Sequence, residues 1–166
     1  FLPGYFISPA KGTSRRKTLV AQSGFDGTAE EMYFAVGRAA LERGYNVLMF
    51  DGPGQQSMLF ERGVGFRPDW EAVVTPQIDW LLERPEVDPA RIALMGRSWG
   101  GYLAPRAATD EHRIAALIAD AAQFDPGARA MSLLPPEYHD LVTTRNVEGL
   151  NKVLAVAMYE PPFITD

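Results

Sequence analysis

The sequence predicts a three-layer α/β/α sandwich with a mostly parallel sheet, and three observations carry that prediction. Short apolar runs alternate with stretches whose apolar residues recur at helical spacing. The connections are short, as right-handed crossovers above and below a parallel sheet require. Each apolar run ends in a cluster of Gly, Asp or Ser, which is where such sheets gather their reactive groups.

The elements follow in order. Residues 1–10 alternate enough to form a strand before a turn at Gly12, and residues 17–22 are a short apolar strand. Thr28 followed three residues later by Glu31 has the form of a capping box, with Met32, Val36, Ala39 and Ala40 as the buried stripe behind it and Gly44 as the stop. Residues 46–50 are the next strand, ending in Asp51-Gly52-Pro53-Gly54, and a loop leads to Pro68. Asp69 caps a helix reaching about Arg84 with Val74, Ile78, Leu81 and Leu82 inward; Pro76 predicts a kink, or a second helix capped by Thr75. After a turn over residues 85–89, residues 91–95 are a strand, 99–108 a short helix and 114–120 a further strand. Beyond it the prolines at 126, 135 and 136 predict a loop-rich stretch, then helix over 140–159 interrupted near Gly149, with Pro161-Pro162 closing the chain. The expected division is a core over 1–125 and a helical or cap-like segment of the same domain over 126–166.

Composition narrows the function. The chain has 166 residues, 46% hydrophobic and 22% charged, enough for one core. A net charge of -5 gives a nucleic-acid partner no electrostatic support, and Arg15-Arg16-Lys17 reads as a solvated turn. The absence of cysteine excludes disulfides, thiolate metal sites and cysteine nucleophiles, and two histidines, His112 and His139, argue against a zinc site. No apolar run approaches the roughly 20 residues of a membrane-spanning helix. The chain starts at Phe1 without methionine or a leader and reads as a piece of a longer polypeptide. A soluble, cytoplasmic protein without a membrane partner is the expectation, with a homo-oligomer left open.

The chemistry concentrates at Gly96-Arg97-Ser98-Trp99-Gly100, a G-x-S-x-G pattern between a strand and a helix. A serine on so tight a turn projects its hydroxyl clear of the backbone, and the residues two before and two after it crowd each other, hence Gly96 and Gly100. Six serines and 15 glycines in this length produce about 0.05 such patterns by chance. Ser98 is the candidate nucleophile. The N–H of Trp99 is one candidate oxyanion donor, and Ser23-Gly24-Phe25-Asp26-Gly27 supplies the other, Phe25 before Asp26. An aspartate between glycines is also an ordinary turn residue.

These segments, together with Gly24 to Glu31, Gly44-Tyr45-Asn46-Val47-Leu48, Phe50 to Gln55 and Arg67-Pro68-Asp69-Trp70-Glu71, resemble bacterial α/β-hydrolases grouped with 2,6-dihydroxypseudooxynicotine hydrolase and, more distantly, prolyl-oligopeptidase-like esterases and peptidases. The resemblance covers roughly residues 1 to 125. It implies an α/β-hydrolase fold, here incomplete at the C-terminus, and a serine-histidine-acid triad acting on ester, amide or activated C–C bonds of a small molecule or short peptide, with no cofactor. Gln56 stands where such proteins commonly have glycine. The acid and histidine come later in the family's chain order, after further strands.

Within this chain the triad has weak candidates. His112 belongs to a turn at the amino end of the sheet, opposite Ser98. His139 follows Pro135-Pro136 with the wrong order and spacing, and a surface histidine is the plainer reading of both. Asp120 ends the strand next to the nucleophile strand, where an acid can sit or merely cap a turn. Asp51 is expected to hold its own Gly-Pro-Gly turn, and Trp70 and Trp80 to pack. The expectation is therefore a serine hydrolase whose acid and histidine lie in a missing C-terminal part. A catalytically inactive ligand-binding or scaffold protein of the same fold is the alternative, and an acyltransferase using the same turn is not separable. A dinucleotide site is disfavoured because no G-x-G-x-x-G follows the first strand.

Overall fold

A computed structural model describes residues 1–12 and 14–158. Five strands form one sheet: β1 (Gly4–Ile7), β2 (Arg16–Gln22), β3 (Asn46–Phe50), β4 (Val87–Arg97) and β5 (Ala116–Asp120), in the order β1-β3-β2-β4-β5. β1 runs antiparallel to β3 and the other pairings are parallel. Gln22 therefore lies level with Phe50 and Gly96, and Arg97 with Asp120. Four strands deliver their carboxyl ends to one rim.

Alternation along the central strands builds a core on each face. Val20, Leu48, Phe50, Ile92 and Leu94 point to one side, under α4 (Glu71–Leu82) and α5 (Gly100–Ala108). Leu19, Ala21, Val47, Met49 and Met95 point to the other, under a helix that begins as α1 (Ala29–Met32), passes through a π-helical stretch (Tyr33–Gly37) and continues as α2 (Arg38–Glu42). Each of these side chains other than Ala21, once buried, contributes on the order of 1.5–3 kcal/mol.

Several local expectations are corrected. The first strand is four residues rather than ten. The π-helical stretch rotates the helix so that Gly37 is buried and Ala39 exposed. A short helix, α3 (Gln56–Phe60), interrupts the expected loop. Pro76 does not break α4, although it removes one helical N–H; Val73, Val74, Ile78 and Leu81 are buried along its inner face, while Leu82 is exposed. Asp69 does not cap that helix by its side chain, because both carboxylate oxygens accept from Arg67 at 2.6 Å. Thr75 is no cap either and donates to Glu111 at 2.8 Å. β4 starts at Val87, inside the expected turn, with a register shift opposite Arg16 and Thr18.

The loop-rich stretch is largely helical: α6 (Pro126–Leu133), a 3₁₀ turn (Pro136–Tyr138), α7 (His139–Thr143) and α8 (Val147–Met158). The break falls before Val147, and Gly149 lies inside α8. These helices pack chiefly on one another. The expectations for Tyr159 and Pro161-Pro162 lie outside the described residues.

Candidate active site

β4 ends at Arg97 and α5 begins at Gly100, so the direction of the chain must change over two residues. Ser98 makes the change with φ +58°, a left-handed setting that costs a non-glycine residue about 1 kcal/mol or more. Glycine flanks make it feasible. A Cβ on Gly96 would overlap the Gly100 carbonyl, and one on Gly100 would come within 2.5 Å of the Ser23 carbonyl oxygen. The turn is clamped from outside as well. The Ser98 N–H donates to the Asp120 carbonyl at 2.5 Å, and the Ser98 carbonyl accepts from the Gly101 N–H at 2.8 Å and Gln123 Nε2 at 3.0 Å. Ser98 is exposed on a cleft of about 210 Å³ lined by Ser23, Gly24, Asp26, Gly27, Glu31, Arg97 and Ser98.

The loop after β2 leans directly on this turn. A Cβ added to Gly24 would stand 2.7 Å from Ser98 Cβ, 2.9 Å from Ser98 Oγ and 3.0 Å from the Trp99 nitrogen. Only a glycine permits that approach. Phe25 follows, half-buried, its ring stacked on Phe66 at 5.3 Å between centroids. Asp26 is exposed on the cleft, and its carbonyl accepts a hydrogen bond from Gln56 Nε2. Gln56 has φ +27°, a backbone setting that favours glycine.

The loop after β3 stands one layer back and holds the loop after β2. Gln55 is fully buried; its Oε1 accepts from the Gly52 N–H at 2.8 Å, while its Nε2 donates to the carbonyls of Ser23 at 2.9 Å and Gly24 at 2.7 Å. Asp51 Oδ1 accepts from the Ala29 N–H at 2.9 Å and Oδ2 from the Ser57 hydroxyl at 3.1 Å, so it fastens the starts of α1 and α3 rather than its own turn. Burial pushes its carboxyl above the usual aspartate range. The capping box at Thr28 forms by half: Thr28 Oγ1 accepts from the Glu31 N–H at 2.9 Å, but the Glu31 carboxylate turns to Arg97 at 2.7 Å on the lip of the cleft.

The other candidates are placed less favourably. Asp120 is exposed at the end of β5, joined to Ser98 by its backbone carbonyl. His112 precedes β5 at the amino end of the sheet, and His139 Nε2 is engaged with the Leu134 carbonyl at 2.9 Å. Among the described residues no imidazole is hydrogen-bonded to Ser98. The sequence alone gave Gln55 and Arg97 no role, and Glu31 only that of a helix cap. The signal for Gln55 was a long polar side chain directly after a glycine turn at the carboxyl end of a buried strand.

A parallel sheet with a left-handed serine on the strand-to-helix turn defines a class, and the comparisons agree. The chain matches the alpha/beta hydrolase family over residues 2–163 and belongs to it. It is 42% identical over 144 residues to the alpha/beta hydrolase ucsC of Acremonium sp, covering 81% of this chain and 29% of that one. It is 41% identical over 133 residues to the hydrolase acrC of Aspergillus aculeatus, covering 72% and 31%. The chain thus spans roughly 30% of the length of these curated relatives. Among solved structures, a 2,6-dihydroxy-pseudo-oxynicotine hydrolase superposes with a TM-score of 0.73 at 28% identity, covering 92% of this chain and 39% of that one. Hydrolase activity is what these relatives share by name.

Proposed function

We propose that the chain carries the nucleophile half of a serine hydrolase, with Ser98 attacking an ester, amide or activated C–C carbonyl of a small molecule or short peptide. The observation that supports it is the exposed Ser98 at φ +58°, with Gly24 packed against both its side chain and the Trp99 nitrogen. In this reading the N–H groups of Trp99 and Phe25 receive the oxyanion, the Ser98 proton passes to a histidine, and water releases the acyl group. The histidine and its acid come from outside the described residues, since neither His112 nor His139 meets Ser98. Asp120 and Asp26 serve the backbone of the site rather than its proton transfers. Residues 126–158 act as a cap-like segment of the core domain, and neither nucleic acid, membrane nor cofactor takes part.

A serine without its base is a poor nucleophile at neutral pH. The 166-residue chain by itself is therefore expected to react with a fluorophosphonate on the order of 10³-fold more slowly than the full-length protein, with any adduct on Ser98. Intact-mass and peptide mass spectrometry read both. An adduct elsewhere, or equal labelling of Ser98→Ala, would defeat the proposal. Absence of any adduct in the full-length protein would favour a ligand-binding scaffold.

A further inference from the structure

We infer that Gln55 is a positioning residue for the oxyanion donor, acting through the carbonyls of Ser23 and Gly24. The inference rests on the reading of Ser98 as nucleophile and Phe25 as donor.

A trans peptide carries its N–H on the side opposite its carbonyl. The Gly24–Phe25 peptide is trans. Gln55 Nε2 reaches the Gly24 carbonyl at 2.7 Å, and this bond sets the direction of that carbonyl, turning the Phe25 N–H of the same peptide away from the buried amide. A second bond from the same nitrogen to the Ser23 carbonyl at 2.9 Å fixes the preceding plane. Nε2 would be free to swing were Oε1 not anchored on the Gly52 N–H at 2.8 Å. The side chain is fully buried, and Gly52 itself packs against Trp70, where a Cβ would stand 2.8 Å from the indole. The amide therefore has one orientation, and it hands that orientation to the loop that abuts Ser98 Oγ.

Turnover depends on donors being fixed before charge develops. Two substitutions separate positioning from mere stability. Gln55→Glu keeps the shape and the acceptor for Gly52 but loses the amide donor; Gln55→Met keeps the bulk and loses both. In the full-length protein, with p-nitrophenyl acetate as probe, both variants are expected to lose 10- to 100-fold in kcat per folded molecule, with KM within about twofold. The amide resonance of Phe25, read by selective ¹⁵N labelling, is expected to shift in both. In the unaltered protein the Gln55 side-chain amide protons should exchange slowly with solvent, a readout needing no variant and so immune to misfolding. Unchanged kcat per folded molecule with an unmoved Phe25 resonance overturns the inference, as does rapid exchange of the Gln55 amide. If the unaltered protein does not turn the ester over while the Phe25 resonance still shifts, the nucleophile reading has failed and the anchoring of the loop stands.

Discussion

Replacing Gly24 by alanine presses a methyl group onto Ser98. The backbone accepts the change, since Gly24 has no positive φ, so the whole effect is steric. The new carbon would meet Ser98 Cβ at 2.7 Å, Ser98 Oγ at 2.9 Å and the Trp99 nitrogen at 3.0 Å. These gaps must open by about 0.5 Å or more to reach ordinary van der Waals separation. Neither side yields readily: the Ser98 backbone is held by Asp120, Gly101 and Gln123, and the Gly24 carbonyl by Gln55. The strain should appear as a loss of about 1–3 kcal/mol in stability, as overpacking elsewhere does. In the proposed reaction, a displacement of this size between Ser98 and the proposed oxyanion donors costs about 100-fold, or roughly 2.7 kcal/mol of barrier. The assay is the second-order rate of fluorophosphonate labelling, normalised to the folded fraction from thermal melting. If Gly24→Ala labels within about threefold of the unaltered protein while fully folded, the loop after β2 does not shape the reacting centre, and the argument from close approach is wrong.

Two further predictions concern the scaffold. Glu111, 4% exposed, accepts from Arg113 and Thr75, and the Arg113 guanidinium above all holds its carboxyl down at about 2 against an ordinary 4.5. The depressed value means stability that is complete above about pH 4.5 and lost as pH falls towards 2, worth about 3 kcal/mol at neutral pH. Urea melts of Glu111→Gln should show that deficit at pH 7 and its shrinkage between pH 4.5 and 2; a deficit constant over that window would contradict it. Ser98→Gly should relieve the left-handed strain and raise stability by about 0.5–1 kcal/mol over Ser98→Ala, after the added freedom of glycine in the unfolded chain. Calorimetry of the two variants checks this, and equal melting temperatures would mean the turn stores no strain.

The strands and the turn at Ser98 were legible because their signals are local. β3 ends where an apolar run meets Asp51, and the G-x-S-x-G pattern sits between β4 and α5 as its crowding demands. What escaped the sequence was set by side-chain partners that no local pattern announces. Asp69 is a good cap by type, but Arg67 two residues away takes its carboxylate. Thr75 is drawn off by Glu111, and Glu31 leaves its capping box for Arg97. α3 is five residues long, too short to show a period. Gln55 was visible as a residue and not as a function, because its partners lie on two separate loops and, the Ser23 hydroxyl apart, are backbone atoms.

Glu31 and Arg97 differ from the residues behind them in how much they are committed. Each is nearly half exposed, and the contact joining them sits on the lining of the cleft. Asp51 and Gln55 have every side-chain oxygen and nitrogen engaged by neighbours. A lineage adapting this scaffold to new substrates can therefore vary the lip while the inner brackets stay put. Directed evolution of selectivity has its cheapest starting points at positions 26, 31 and 97.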